Sequence, residues 1–245
     1  MREWTGKRYW LVGASEGLGL ALAQMVSRAG AEVILSARSE DRLTAAVATL
    51  AGKGSAVACD VSDSASVQAA ADQIGAIDGV VYLAGVYWPT KAQEWRAEEV
   101  EAMCDVNFTG CARVIGAVMP GMVARGAGHV VITGSLSGFR GLPGSIGYTA
   151  SKAGVMSLAE CLYADLRDSG IDVQIANPGF IRTRLTDKND FSMPFLMEPE
   201  GAAREMFEHM NSDSFKKSFP MVFSWLFRLS QFLPDWAYYG LFARK

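Results

Sequence analysis

Histidine is scarce in this chain and cysteine is scattered. The two histidines, His129 and His209, lie far apart, and no zinc-binding helix motif contains either. Cys59, Cys104, Cys111 and Cys161 show no Cys-x2-Cys spacing, so they read as buried thiols of a reducing compartment, the cytoplasm, rather than as zinc ligands or disulfides. No metal site is expected. No run of lysine and arginine stands out and the formal net charge is −3, so nucleic acid is not an expected partner. Met1 to Tyr9 carries charges and no apolar core, so no signal peptide is expected there. Internal repeats and low-complexity segments are also missing.

What is present suits one α/β domain. The chain has 245 residues, half of them hydrophobic and a fifth charged. A chain this long buries roughly 70% of the surface its unfolded form exposes, so it needs no disulfide or metal to hold it. Arg8 to Val12 is a short strand candidate that runs into Gly13-Ala14-Ser15-Glu16-Gly17-Leu18-Gly19 and then a helical stretch from Leu20 to Ala29. Strand, glycine turn and helix make a phosphate-binding unit. Glycine lets backbone approach a pyrophosphate, and the helix N-terminus offers unpaired N–H groups and a positive dipole end. The spacing is Gly-x3-Gly-x-Gly rather than the commoner Gly-x-Gly-x2-Gly.

The unit repeats. Glu32 to Ala37, Ser55 to Cys59, Gly79 to Leu83, His129 to Thr133 and Ile171 to Ala176 read as further strands. Helices lie between them: one capped by Ser39 and running to Leu50, one starting at Ser62 or Ser64 and running through Ile74, and a long one from Ala97 to about Arg125. This rhythm predicts a Rossmann-like, doubly wound parallel sheet in three layers, α/β/α. Ligands of such sheets sit beyond the carboxyl ends of the strands, where Gly13, Arg38, Asp60 and Gly85 fall. After the second strand a neutral Ala37 and then Arg38 stand where an acid would hold the ribose of NAD, which favours NADP; Glu16 beside the same pocket argues the other way.

Chemistry gathers in the middle third. Tyr148 and Lys152, four residues apart on a helix, share a face. A fixed ammonium favours the phenolate and would lower the phenol from its usual pKa of about 10, making a tunable acid/base. Ser135 follows the fifth strand, thirteen residues before Tyr148, and its hydroxyl can hold a carbonyl oxygen while a phenol protonates it. Asn107 lies inside a helix, either as a polar residue on an exposed face, or marking a kink or a water held by its amide. His129, at a strand's start, reads as structural.

Gly13-x3-Gly17-x-Gly19, Asp60, Ala84-Gly85, Asn107, Ser135, Tyr148-x3-Lys152 and Pro178-Gly179-x-Ile181-x-Thr183 occur in the order and spacing of the short-chain dehydrogenases/reductases, over roughly residues 7 to 185. The chain resembles that family. The resemblance implies hydride transfer between nicotinamide and a small-molecule carbonyl or alcohol. Tyr148 would be the general acid/base, and Lys152 would lower its pKa and bind the nicotinamide ribose. Ser135 would orient the substrate oxygen, and Asn107 would hold a relay water. Gly13, Ser15, Gly17, Leu18, Gly19 and Arg38 would bind the dinucleotide's phosphates and adenosine, with Asp60, Val61, Ala84 and Gly85 beside them. Pro178, Gly179, Ile181 and Thr183 would flank its nicotinamide end. A mobile lid would follow from Thr183 to Leu196. Leu83 and Val12 depart from the family's usual asparagine and threonine. NADP(H) is the expected cofactor, with NAD(H) also possible, and carbonyl reduction the expected direction. A nicotinamide-sensing module without catalysis, or an epimerase or dehydratase, are the rival classes; the full Asn-Ser-Tyr-Lys set counts against the first, the glycine spacing and short chain against the second.

Beyond a helix from Glu198 to Met210 the resemblance thins. The expected division is a dinucleotide-binding and catalytic domain, 1–215, and an aromatic-rich helical extension, 216–245. The family's short seventh strand is expected to be missing, which favours a homodimer over a tetramer. The tail's unbroken apolar run near Phe219 to Phe223 is far too short to span a bilayer. The extension could pack as helices broken at Pro234 on the domain or a second subunit. It could lie on a membrane surface, with Lys216, Lys217, Arg228, Arg244 and Lys245 flanking its aromatics, or it could wall an apolar substrate pocket.

Overall fold

The computed structural model describes residues 2–189 and 191–242. Seven parallel strands form one sheet in the order β3-β2-β1-β4-β5-β6-β7. They are β1 (Arg8–Val12), β2 (Glu32–Ser36), β3 (Gly54–Ala56), β4 (Gly79–Tyr82), β5 (Gly128–Thr133), β6 (Ile171–Pro178) and β7 (Lys216–Phe219). Between them run α1 (Gly17–Arg28), α2 (Glu40–Val47), α3 (Ser64–Ile74), α4 (Ala97–Cys104), α5 (Gly110–Arg125), α6 (Ile146–Leu166) and α7 (Pro199–Met210). Strand residues alternate between two cores. Trp10, Val12, Val80 and Tyr82 pack under α3, α5 and α6; Tyr9, Leu11, Val33 and Val81 pack under α1, α2 and α7. The expected three-layer α/β/α domain is what forms.

Local signals hold with small shifts. Ser39 caps α2 as expected, its hydroxyl accepting from the Arg42 N–H at 3.5 Å. At α3 the cap is Asp63, between the two serines expected there, because its carboxylate reaches the Ala65 N–H at 2.9 Å. His129 is structural: buried between the Tyr9 hydroxyl and the Gln174 amide, 2.9 Å from each.

The helix expected from Ala97 to Arg125 is broken in phase by a π turn, Asp105–Thr109. The run reaches the length and mean hydropathy of a membrane span, yet Cys111, Val114, Ile115 and Met122 are buried against the sheet, the position of a core helix.

One expectation is overturned. The seventh strand exists, and it begins at Lys216, inside the segment assigned to the extension. Lys216 to Phe219 pairs with Ile175 to Pro178. Two lysines before a proline look like a loop, but an edge strand tolerates lysine. Here each charge is met from a different face of the sheet: Lys216 by Glu160 of α6 at 2.6 Å, Lys217 by Glu205 and Glu208 of α7 at 2.9 and 3.4 Å. The argument against a tetramer drawn from a missing strand falls with it.

After β7 come α8 (Met221–Ser230) and α9 (Asp235–Phe242), separated at Pro234. Arg140 ties them to the domain. Its guanidinium donates to the carbonyls of Ser230 and Leu233, both at 2.7 Å, and to Asp235 at 2.5 Å, and lies 4.0 Å from the Tyr238 ring centroid.

Candidate active site

The β-strand order reverses beside β1, and a cleft of about 780 Å³ opens beyond the strand tips there. Its floor depends on glycine. Gly13 has φ +88°, and a Cβ on it would sit 2.4 Å from the Ala84 nitrogen; one on Gly19 would sit 2.2 Å from the Gly13 carbonyl oxygen. Backbone meets backbone at both points, so no other residue lets β1, β4 and α1 close up. Glu16, at the start of α1, does not cap it. Its carboxylate pairs instead with Arg184 and, at 3.7 Å, with Arg42. The N–H groups of the first turn are left without a side-chain cap, a setting for phosphate.

All sixteen residues expected to bind the dinucleotide line this one cleft: Gly13, Ser15, Gly17, Leu18, Gly19, Arg38, Asp60, Val61, Ala84, Gly85, Tyr148, Lys152, Pro178, Gly179, Ile181 and Thr183. Arg38, Ser39 and Arg42 stand together at the tip of β2. Partial burial pushes Asp60 up, but hydrogen bonds from the Ser62 hydroxyl (2.6 Å) and N–H (2.9 Å), with the charge of Arg38, hold its carboxyl below its ordinary value. Thr133 also lines the cleft, with a buried hydroxyl that has no protein partner. An orphaned hydroxyl, a bare helix start and two cations at the β2 tip fit a dinucleotide phosphate and its sugar.

Ser135 and Asn107 stand just outside that lining. Ser135 follows the tip of β5, its hydroxyl accepting from the Ser137 N–H at 3.1 Å and hydrogen-bonded to the Tyr148 phenol. Asn107 is buried, not exposed, and sits in the π turn. Its amide oxygen accepts from the Val86 N–H at 2.8 Å. Its amide nitrogen donates to the Val86 carbonyl and to the Ser151 hydroxyl, both at 3.0 Å. Ser151 in turn donates to the Tyr148 carbonyl at 2.8 Å. The kink that the sequence allowed at Asn107 is therefore a clamp between the loop after β4 and the first turns of α6.

The electrostatics differ from expectation in one respect. Burial raises the Tyr148 phenol above its ordinary value, the Ser135 hydrogen bond opposes this, and Tyr87, edge-on to it with ring centroids 5.1 Å apart, adds to it. Lys152 was expected to pull that value down. Its ammonium lies 5.8 Å from the Tyr148 ring centroid and donates to the Thr133 carbonyl at 2.9 Å, and burial lowers its own pKa to about 8. At about 8 the amine still carries its charge at neutral pH, but it donates to the Thr133 carbonyl rather than to the phenol, and burial decides the direction of the phenol's shift. The phenol therefore stands protonated at neutral pH, a proton donor.

The segment after Pro178-Gly179 is tied across the cleft. Arg184 holds Glu16 of the glycine turn, and Lys188 donates to the Tyr87 carbonyl at 2.8 Å with its ammonium 4.0 Å from the Trp88 ring centroid. Arg42, Tyr87, Thr133 and Arg184 escaped the sequence reading. Only Arg42 carried a signal, one helical turn beyond Arg38.

A family model described as short chain dehydrogenase matches residues 7–192. The chain belongs to the short-chain dehydrogenase family. Among the relatives of this short-chain dehydrogenase is an uncharacterized oxidoreductase of Myxococcus xanthus, 36% identical and matched over 96% of both chains. Another is a 3-oxoacyl-(acyl-carrier-protein) reductase of Vibrio harveyi, 33% identical over 74% of this chain and 76% of that one. A solved short chain dehydrogenase/reductase from Burkholderia phymatum, in complex with NAD, superposes with a TM-score of 0.86 at 26% identity, covering 94% of each chain. An actinorhodin polyketide ketoreductase solved with NADPH shares the fold, with a TM-score of 0.80 over 89% of this chain and 97% of that one, at 23% identity. Members of the family bind a nicotinamide dinucleotide, act on small molecules and commonly form oligomers. This short-chain dehydrogenase is an NAD(P)-dependent oxidoreductase of the CH–OH/carbonyl pair.

Proposed function

We propose that this short-chain dehydrogenase reduces a ketone or aldehyde with NADPH, using Tyr148 as the general acid. The observation that carries the reading is the Tyr148 phenol, hydrogen-bonded to Ser135 at the cleft wall and held protonated by burial. The bound nicotinamide would supply hydride. Ser135 would donate to the carbonyl oxygen and fix it beside the phenol. Tyr148 would give that oxygen its proton as charge develops. Lys152, buried behind the phenol and anchored to Thr133, would steady the sugar end of the cleft, and Asn107 would keep the Tyr148 turn in place through Ser151. Pro178, Gly179, Ile181 and Thr183 would bound the nicotinamide end; the glycine turn with Ser15 and Leu18 would hold the pyrophosphate.

The NADP preference rests on Arg38 and Arg42 at the β2 tip. Glu16, the charge that argued for NAD, is already engaged by Arg184 and Arg42. Cys59 and Cys111 are buried as expected, whereas Cys104 is half-buried and Cys161 exposed; all four are free thiols, which suits a reducing compartment such as the cytoplasm. The small residues Ala150, Ala153 and Gly154 of α6, with Phe108 lying over Gly154, suit pairing of two copies about a two-fold axis; light scattering that gave a monomer would end that part of the reading.

The test is a panel of carbonyl compounds followed by NADPH absorbance, repeated with NADH. Tyr148→Phe is expected to lower turnover by about 10²- to 10⁴-fold while NADPH still binds. Because the phenol must start protonated and burial holds it above its ordinary value near 10, its protonation is expected to leave reduction level through neutral pH and to weaken it only in strongly alkaline solution. Near-full turnover by the Tyr148→Phe protein would overturn the assignment.

A further inference from the structure

Helix α8 buries Phe223 but turns most of its large apolar side chains outward. Ser224 and Ser230 face the domain and are buried, their hydroxyls returned to the carbonyls of Met221 (2.7 Å) and Phe227 (2.8 Å), so neither is left unsatisfied. Met221, Val222, Trp225, Leu226 and Leu229, spaced as one helical stripe, face solvent instead. The connection and α9 add Phe232 at 85% and Trp236 at 82% exposure. So many large apolar side chains within some twenty residues mark a surface that contacts something.

Charge narrows what that is. Lys216 and Lys217 are held by Glu160, Glu205 and Glu208, so they are not the flanking cations they resemble in sequence. Asp235, the acid of α9, is taken by Arg140. Among the described residues of 220–242 this leaves Arg228, exposed beside the stripe with its guanidinium 5.5 Å from the Trp225 ring centroid. The sequence continues with Arg244 and Lys245. Tryptophan, phenylalanine and leucine with cations and no free acid match the boundary between the anionic headgroups and acyl chains of a bilayer. A lasting protein interface instead surrounds its apolar centre with hydrogen-bonding groups, and this face offers only a few, those of Arg228, Gln231, Tyr239 and the two indoles.

We propose that the outer face of α8 and α9 docks on an anionic lipid surface. The inner face of the same helix backs one wall of the catalytic cleft, behind Gly179. Phe223 packs on Phe180, Phe195 and Phe227, with ring centroids 5.8, 5.5 and 5.0 Å apart, and a Cβ on Gly179 would lie 3.1 Å from it. The thickness of one helix separates the docked surface from Gly179 at the nicotinamide end of the site. A lipophilic carbonyl substrate drawn from the bilayer is the corollary, and that clause alone rests on the redox reading above.

The experiment is flotation of the full chain with phosphatidylcholine vesicles containing or lacking phosphatidylglycerol. Co-flotation is expected, stronger with phosphatidylglycerol. Trp225→Gln, Leu229→Gln and Trp236→Gln together are expected to cut it by about tenfold or more, with circular dichroism and NADPH binding unchanged. A protein that floats with neither vesicle overturns the proposal. So does an assembly, seen by light scattering, that the triple substitution dissociates while vesicle capture is absent, since the face then joins two copies. Vesicle capture by a protein whose Tyr148→Phe variant keeps full turnover sustains the docking and sinks the redox reading instead.

Discussion

The cleft at the strand tips and the helices after β7 are built on opposite terms. At the cleft, residue identity is dictated by what lies against it. Gly13 and Gly19 face backbone, Asn107 supplies three hydrogen bonds from one buried amide, and Lys152 has a carbonyl waiting for it. On α8 and α9 only Phe223 and Tyr238 among the large side chains are buried, most of the others face outward, and the remaining buried positions are serines that satisfy themselves. The first region is constrained by the chain's own interior. The second is constrained from outside, so its composition makes no sense as folding alone.

Substitutions should separate the two regions steeply. Gly13→Val is expected to have the largest effect: the new side chain meets the Ala84 backbone at a positive φ, at more than about 3 kcal/mol. A urea midpoint close to the parent's would show that β1 and β4 can part at no cost. Asn107→Ala should follow at about 2–3 kcal/mol, since the Val86 N–H and carbonyl lose their partner in a buried setting. Its turnover should fall too, because the Tyr148 turn loses its clamp; unchanged stability and turnover together would remove Asn107 from the account.

Acid gives a gentler probe of the buried side. Burial lowers His129 to about 3 and His209 to about 4, both below the ordinary value near 6.5. Below 6.5 the unfolded chain takes up protons that the folded one refuses, so stability should decline as pH falls from about 6.5 towards 4 and then 3. Each histidine contributes a slope of up to about 1.4 kcal/mol per pH unit. His129→Gln should flatten that slope by one proton; an identical slope would mean that His129 is not held neutral. Last, Trp236→Ser should change stability by no more than about 0.5 kcal/mol despite the size of the side chain removed. A loss of several kcal/mol would break the contrast drawn here.

The same contrast governs what could be read without coordinates. Glycine spacing, Ser135, Tyr148 and Lys152 were legible because close backbone approach and proton transfer each admit few residue types. That the sheet is parallel and covered on both faces followed from alternating elements. Lys216 and Lys217 misled, because the glutamates that neutralise them lie on α6 and α7, far off in sequence. The direction of the Tyr148 shift was missed for a related reason. Helical spacing places an amine near a phenol, but how deeply the phenol is buried, and which oxygen the amine bonds, depend on elements the spacing does not mention. Tyr87 and Arg184 reach the site from loops whose course no periodicity describes.

The π turn at Asp105–Thr109 carries one consequence further. Each α-helical residue advances about 100° around the axis, so the wider turn resets which side of the rod points inward. Ahead of it, Met103 is directed at Gly147 on α6; past it, Val114 and Ile115 are directed at the sheet. Excising a single residue there would rotate everything downstream by most of a quarter turn or more, pulling one of these two seams out of mesh. The irregularity works as a gear offset that lets one continuous rod engage two surfaces facing different ways.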